Sequence, residues 1–150
     1  MTTSELLHKT LLFKGSSIEE LSFAGNLFQE RRIKPNAMIF MEKMPGEALF
    51  IIKNGTVKIT MMAGEGEEVG LLLLGPGEFF GELALVHNDV RLVSARAETD
   101  VELLTLTRKY FQVLVDKAPH TAARVLIAIT KLLAMRVKAY SEKLKDFLRS

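Results

Sequence analysis

The stretch 79-FFGELALVHNDVR-91 decides the reading of this chain. A glycine and an acid, Gly81 and Glu82, stand at the head of a short apolar run, and an arginine, Arg91, returns nine residues after the acid. The run Gly75-Pro76-Gly77-Glu78-Phe79-Phe80-Gly81 that leads into it allows a tight turn and a close approach by another backbone or a ligand. Leu83-Ala84-Leu85-Val86 is helix-forming but holds only a turn or so, and the first amides of such a turn lack internal partners, which suits an anion. Arg91 would strengthen the attraction, because its planar fork matches phosphate oxygens in pairs. An acid beside an anion is costly unless it faces something else. An ionised Glu82 is a pure acceptor and a ribose 2′-hydroxyl is a donor, so a ribose phosphate would satisfy both residues. The other reading of the same pair is a simple salt bridge between Glu82 and Arg91.

Outward from this stretch, the chain is punctuated by Gly, Pro and Asn. AMIFME, EALFIIKN, GTVKITMM, EEVGLLLL, VRLVSARAE and VELLTLT have the length and β-branched content of strands. Asn54-Gly55 is the commonest two-residue hairpin signal and is expected to join two of them. Six closely spaced strands predict a mainly β domain, an antiparallel sandwich or β-barrel of the jelly-roll kind over residues 34–107, with flanking helices. N-terminal helices are expected within residues 1–33: a short one over 4–14, and a second begun by the capping pair Ser17/Glu20 and running through IEELSFAGNLFQERR. Ile18, Leu21, Phe23, Leu27 and Phe28 would form its buried face.

C-terminal helices are expected over 108–150, the first capped by Thr107 and the second opened by Pro119. Within the latter Leu126, Leu133, Tyr140 and Phe147 recur every seven residues, with Thr130, Val137 and Leu144 interleaved. That pattern serves either a homodimer seam or packing on the chain's own barrel. The last twenty residues carry Lys131, Arg136, Lys138, Lys143, Lys145 and Arg149, which read as a solvated helix face.

Composition closes off several functions. The 150 residues suit one domain, and 48% hydrophobic with 25% charged residues is ordinary for a globular chain. A net charge of +2 does not mark a general nucleic-acid binder, and no DNA partner is expected. Cysteine is absent, so no disulfide or thiolate chemistry operates. The N-terminal residues lack a secretory cleavage pattern and no run reaches membrane-spanning length, so a cytoplasmic location without a membrane partner is expected. His8, His87 and His120 fall in separate segments, with no HExxH, GxSxG or Walker sequence. Gly64-Glu65-Gly66 with Gly70 misses the dinucleotide spacing and reads as a hairpin turn, with Glu65, Glu67 and Glu68 as solvated acids. No enzyme, metal or cofactor is expected.

At FGELALVHNDVRLVSA the chain resembles the phosphate-binding cassette of the cyclic nucleotide-binding domain family, whose pattern is FGE-L-A-L, a short loop, then Arg and small residues. The resemblance extends over the flanking helices, the strands and the GPGEFFGE approach. It implies that Arg91 takes the exocyclic phosphate oxygens and that Glu82, with the Gly81 backbone, takes the ribose 2′-hydroxyl. Amides at Leu83, Ala84 and Leu92 would complete the cradle, and Ile59 and Leu72 would flank the base. The family usually has Ala after this Arg in cyclic AMP sites and Thr or Ser in cyclic GMP sites, whereas here Leu92 follows. Leucine offers guanine no hydroxyl, which favours cyclic AMP over cyclic GMP, although its bulk threatens to crowd the pocket. Ser94, two residues on, is expected on the same strand face as Leu92 and so within reach of the base. The resemblance also implies a sensor whose final helix responds to ligand and which signals through a dimer or a downstream protein. The alternative is an interaction module that keeps the fold without the ligand.

Overall fold

The structure is a computed structural model that describes residues 2–64, 66–87 and 90–149. Glu65 and the Asn88-Asp89 part of the expected cassette loop lie outside the described residues. The chain begins with α1 (Thr3–Lys9), a 3-10 turn (Leu11–Phe13) and α2 (Ile18–Gly25). Among the described residues eight strands follow: β1 (Gln29–Ile33), β2 (Met38–Phe40), β3 (Ala48–Asn54), β4 (Val57–Ala63), β5 (Glu67–Leu74), β6 (Phe79–Phe80), β7 (Ser94–Ala97) and β8 (Val101–Thr107). A four-residue helix α3 (Leu83–Val86) separates β6 from β7, and α4 (Arg108–Lys117) and α5 (Pro119–Arg149) end the chain.

The strands form two antiparallel four-stranded sheets, ordered β1-β8-β3-β6 and β2-β7-β4-β5. This is a jelly roll made of two facing sheets, without the closure expected of a barrel. Strands β3 and β8 of the first sheet are covered on both faces, which is why ALFII is an unbroken apolar run. Leu49 and Ile51 of β3 pack with Leu104 and Leu106 of β8 against the helices. Ala48, Phe50 and Ile52 alternate with them and join Val57, Ile59, Phe80 and Ala95 between the sheets.

Three expectations need correction. The second helix stops at Gly25 instead of running through Arg32, and Gln29–Ile33 pairs in register with Thr105–Val101 of β8. Residues 1–33 are therefore not all helical: Gln, Glu and Arg are good helix formers, but propensity is worth only tenths of a kcal/mol per residue, and pairing with the free edge of β8 overrides it. Within α2, Leu21 and Ala24 are buried while Ile18 is 83% exposed, so Ile18 leaves the expected face. Asn54-Gly55 does not close a hairpin, because β3 pairs with β6 and β8 whereas β4 pairs with β5 and β7. The dipeptide is instead the corner where the chain changes sheets. Gly55 has φ 94°, and a Cβ there would collide with the Asp100 carbonyl oxygen. Asn54 keeps negative φ, so the turn lacks the paired left-handed residues of a tight hairpin.

The caps do form as the sequence implies. Ser17 and Glu20 exchange backbone-to-side-chain hydrogen bonds at 3.1 and 2.8 Å, and the Thr107 hydroxyl accepts from the Tyr110 amide. A second box, Thr2 with Glu5, starts α1.

Helix α5 lies on the domain through Ala122, Val125 and Ile129, with Leu132 and Leu133 packed beside them. Tyr140 reaches the core between the sheets. Part of the seven-residue repeat therefore serves the chain's own core. Its other members, Leu126, Thr130, Val137, Leu144 and Phe147, are exposed, the first four along a stripe next to the buried face. Arg136 departs from the solvated-face expectation: it is in phase with the apolar stripe and only 7% exposed.

Candidate functional site

The turn from β6 into α3 places the decisive residues. Gly81 has φ 75°, and a Cβ there would come within 3.0 Å of Arg91 Nη1 and 3.1 Å of the Ala48 carbonyl. Glycine is thus required both by backbone conformation and by the closeness of the arginine. Glu82 follows, 5% exposed, then Leu83 and Ala84 in the short helix. The Ala84 amide donates to the Gly81 carbonyl at 3.2 Å.

Arg91 was expected on a strand over residues 90–98, but β7 begins only at Ser94. It is held instead by the loop after β2: the Arg91 amide donates to the Met44 carbonyl, and the Lys43 amide donates to the Arg91 carbonyl, each at 2.8 Å. Its guanidinium donates through Nη1 to the Gly81 carbonyl at 2.9 Å and through Nη2 to the Ala48 carbonyl at 2.8 Å. It also lies 4.0 Å from the Phe40 ring centre. No carboxylate among the described residues forms a salt bridge with it. Burial lowers its pKa below the usual arginine value to about 10, opposed by Glu82 and helped by the nearby Arg108. The group remains a cation at neutral pH.

Glu82 finds its cation elsewhere. Arg136 Nη1 donates to both Glu82 carboxylate oxygens at 3.1 Å, and Nη2 donates to the Phe79 carbonyl. The expected alternative of a direct Glu82–Arg91 pair is therefore not what forms. Arg136 was not among the site residues read from the sequence. Its signal was there, as an arginine in step with Ala122, Val125, Ile129 and Leu132 on one helix face.

These groups line a cavity of about 530 Å³. Gly81, Glu82, Leu83, Ala84, Arg91 and Leu92 border it from the cassette, Ile59 and Phe40 from the sheet, and Leu133, Arg136, Val137 and Tyr140 from α5. Leu92 is 67% exposed, at the mouth, so its bulk does not fill the space. Two expected residues are not brought to the cavity. Leu72 borders a shallow surface groove with Lys58 and Lys143. Ser94 is buried, its hydroxyl accepting from the Glu42 amide at 2.9 Å. Leu92 and Ser94 do not share a face, because the chain before Ser94 is not strand and the two-residue alternation does not extend to it. Tyr140 closes the α5 side; burial raises its pKa, with Glu82 adding to the rise and Arg136 opposing it.

The cavity thus holds a desolvated arginine, a buried carboxylate and a glycine turn at one end, with apolar walls at the other. The profile of the cyclic nucleotide-binding domain matches residues 30–118. The chain belongs to the cyclic nucleotide-binding domain family. It is 36% identical over 127 residues, 85% of its length, to the cyclic AMP receptor protein of Thermus thermophilus, covering 57% of that protein. It is 33% identical over 107 residues to the cGMP-dependent protein kinase egl-4 of Caenorhabditis elegans, covering 70% of this chain and 14% of the kinase. The crystal structure of the Thermus thermophilus catabolite activator protein superposes with a TM-score of 0.79 at 35% identity, over 93% of this chain and 63% of that one. The chain spans about three fifths of the length of such regulators. Among the described residues no group of three or more His, Asp or Glu is placed to hold a metal ion, and no helix is long and apolar enough to cross a membrane.

Proposed function

We propose that the cavity binds cyclic AMP and that the domain is a cytoplasmic sensor acting through α5. The observation that carries this reading is Arg91, a half-buried cation at the cavity wall that is bonded to carbonyl oxygens and, among the described residues, to no carboxylate. A phosphate is the group whose charge answers it. Glu82 takes the ribose 2′-hydroxyl while still paired with Arg136, since a carboxylate has about four acceptor sites. Gly81, Leu83 and Ala84 line the phosphate end with backbone, and Ile59 and Leu92 border the apolar end with Val137 and Tyr140. The base end offers guanine no serine or threonine hydroxyl from the position after Arg91, which favours adenine. No reaction is assigned to the site. The exposed stripe Leu126, Thr130, Val137 and Leu144 is read as a homodimer seam, through which a ligand-dependent change in α5 reaches a partner protein.

Isothermal titration with cyclic AMP and cyclic GMP, with Arg91→Ala as control, tests the reading. Binding that favours cyclic AMP and disappears in the variant supports it. Heat from neither nucleotide overturns it, and a preference for cyclic GMP overturns the choice of base.

A further inference from the structure

Strand β4 runs past the end of its neighbour β7. The last pair between them is Thr60 with Ser94, and Met62 lies two residues beyond it. A side chain stands where β7 supplies no carbonyl: the Met62 amide donates to Glu42 Oε1 at 2.7 Å. The backbone amide of Glu42 in turn donates to Ser94 Oγ at 2.9 Å. Glu42 thus closes the open ends of both strands. It is the second residue of the turn Met41-Glu42-Lys43-Met44, in which the Met44 amide donates to the Met41 carbonyl at 3.2 Å. Lys43, the third residue, has φ 72°, a left-handed conformation that favours glycine and that a side chain adopts only at a cost. Arg91 is clasped by this same turn, through the Lys43 amide and the Met44 carbonyl. The chain then passes beneath it, for a Cβ on Gly46 would lie 2.7 Å from Arg91 Nε.

Arg91 lies before β7 begins, so no strand ladder keeps its backbone in place, and the two bonds to the turn do so instead. A turn with a strained residue at its centre persists only where its surroundings over-determine it. Glu42 supplies that constraint from two directions, its carboxylate on β4 and its amide on β7. Resting on the reading of the cavity as a nucleotide site, we propose that Glu42 is a positioning residue for phosphate binding: it locks the strained turn onto the second sheet, and the turn presents Arg91 to the phosphate in one orientation. Glu42 is not among the residues that border the cavity, so it acts through Arg91 alone. Ser94, which the sequence placed near the base, serves the phosphate end from behind.

Calorimetric titration of the full chain tests this with cyclic AMP and with its Rp and Sp phosphorothioates, in which sulfur replaces one or the other exocyclic oxygen. Sulfur accepts hydrogen bonds weakly, so a guanidinium held in one place distinguishes the two analogues and one free to move distinguishes them less. The wild type is expected to bind them with affinities about tenfold apart, the scale of one hydrogen bond to a charged group. Glu42→Ala is expected to bind cyclic AMP about tenfold more weakly and to bring the two analogues to within about threefold of each other. Glu42→Gln keeps an oxygen that accepts from the Met62 amide and is expected to restore both values towards the wild type. Ser94→Ala removes the other anchor and is expected to narrow the ratio in the same direction. It carries the comparison if thermal unfolding without ligand shows that Glu42→Ala does not fold. A merely structural acid would lower the unfolding temperature and leave the ratio of the analogues unchanged. An unchanged ratio in the alanine variants, a glutamine variant no better than the alanine one, or a wild type that binds both analogues equally would overturn the positioning role. Absence of cyclic AMP binding in the wild type would remove the nucleotide reading beneath it, and the first titration identifies that failure separately.

Discussion

Arg136 and Glu82, 54 residues apart in sequence, form a buried ion pair at 3.1 Å that fastens the middle of α5 to the cassette. A buried pair is costly to break because the survivor keeps its desolvation penalty. Arg136→Met leaves Glu82 with no cation partner, so a loss of about 3–5 kcal/mol is expected in urea unfolding. The double replacement Arg136→Met, Glu82→Leu is expected to recover most of that loss. A single-variant cost below about 1 kcal/mol, the range of a surface pair, would contradict the buried pairing.

Arg91→Lys keeps the charge but replaces a fork that reaches two carbonyls with a single ammonium. If Arg91 receives the phosphate, loss of this geometry weakens cyclic AMP binding, and Arg91→Ala weakens it further, by about 2–5 kcal/mol. Calorimetric titration reads both. Equal affinity of wild type and Arg91→Ala would exclude the phosphate role.

Gly46→Ala tests the floor beneath Arg91 without altering any charge. The new Cβ would stand 2.7 Å from Nε and 2.9 Å from Cζ of Arg91, so the guanidinium must move. The expected outcome is a lower nucleotide affinity with a folded domain, since the displaced group is the far end of a long side chain. Titration alongside circular dichroism separates the two effects. Gly55→Ala, in contrast, meets a backbone carbonyl and a left-handed φ, and is expected to unfold at markedly lower denaturant.

Glu20 predicts an acid dependence. Its carboxylate accepts from the Ser17 amide, from the Thr121 hydroxyl at 2.7 Å and from Arg124 at 3.1 Å, which pins α2 to the start of α5. These bonds, led by that from the Ser17 backbone, lower its pKa from 4.5 to about 2. The folded-state value is depressed, so the stabilisation is fully present above about pH 4.5 and is lost as pH falls towards 2. Urea midpoints between pH 6 and 2.5 are expected to fall less steeply for Glu20→Gln than for the wild type.

The exposed stripe on α5 gives a test of assembly. Leu144 is 56% exposed, so Leu144→Glu has little reason to disturb the monomer. If the stripe is a dimer seam, the variant sediments as a smaller species than the wild type at the same concentration. Identical sedimentation of the two chains would remove the seam.

What local chemistry controls was legible in the chain itself. Alternation and β-branching marked the strands, the Ser17/Glu20 pair and the Thr107 hydroxyl marked the caps, and the FGELAL run with Arg91 marked the cassette, because each works through neighbours in sequence. Pairing partners were not legible. Asn54-Gly55 has the composition of a hairpin, but the competing edges of β8 and β7 take its two strands into different sheets. Gln29–Ile33 has the composition of a helix and becomes a strand for the same reason. The sequence by itself brought Glu82 and Arg91 together around one turn, and both border the same cavity. Only the tertiary structure decided that Glu82 pairs with Arg136, that Ser94 and Leu72 leave the cavity, and that Glu42 closes the end of β4. Those outcomes depend on which surfaces meet across many residues, and burial converts such meetings into energies that local propensities of a few tenths of a kcal/mol cannot oppose.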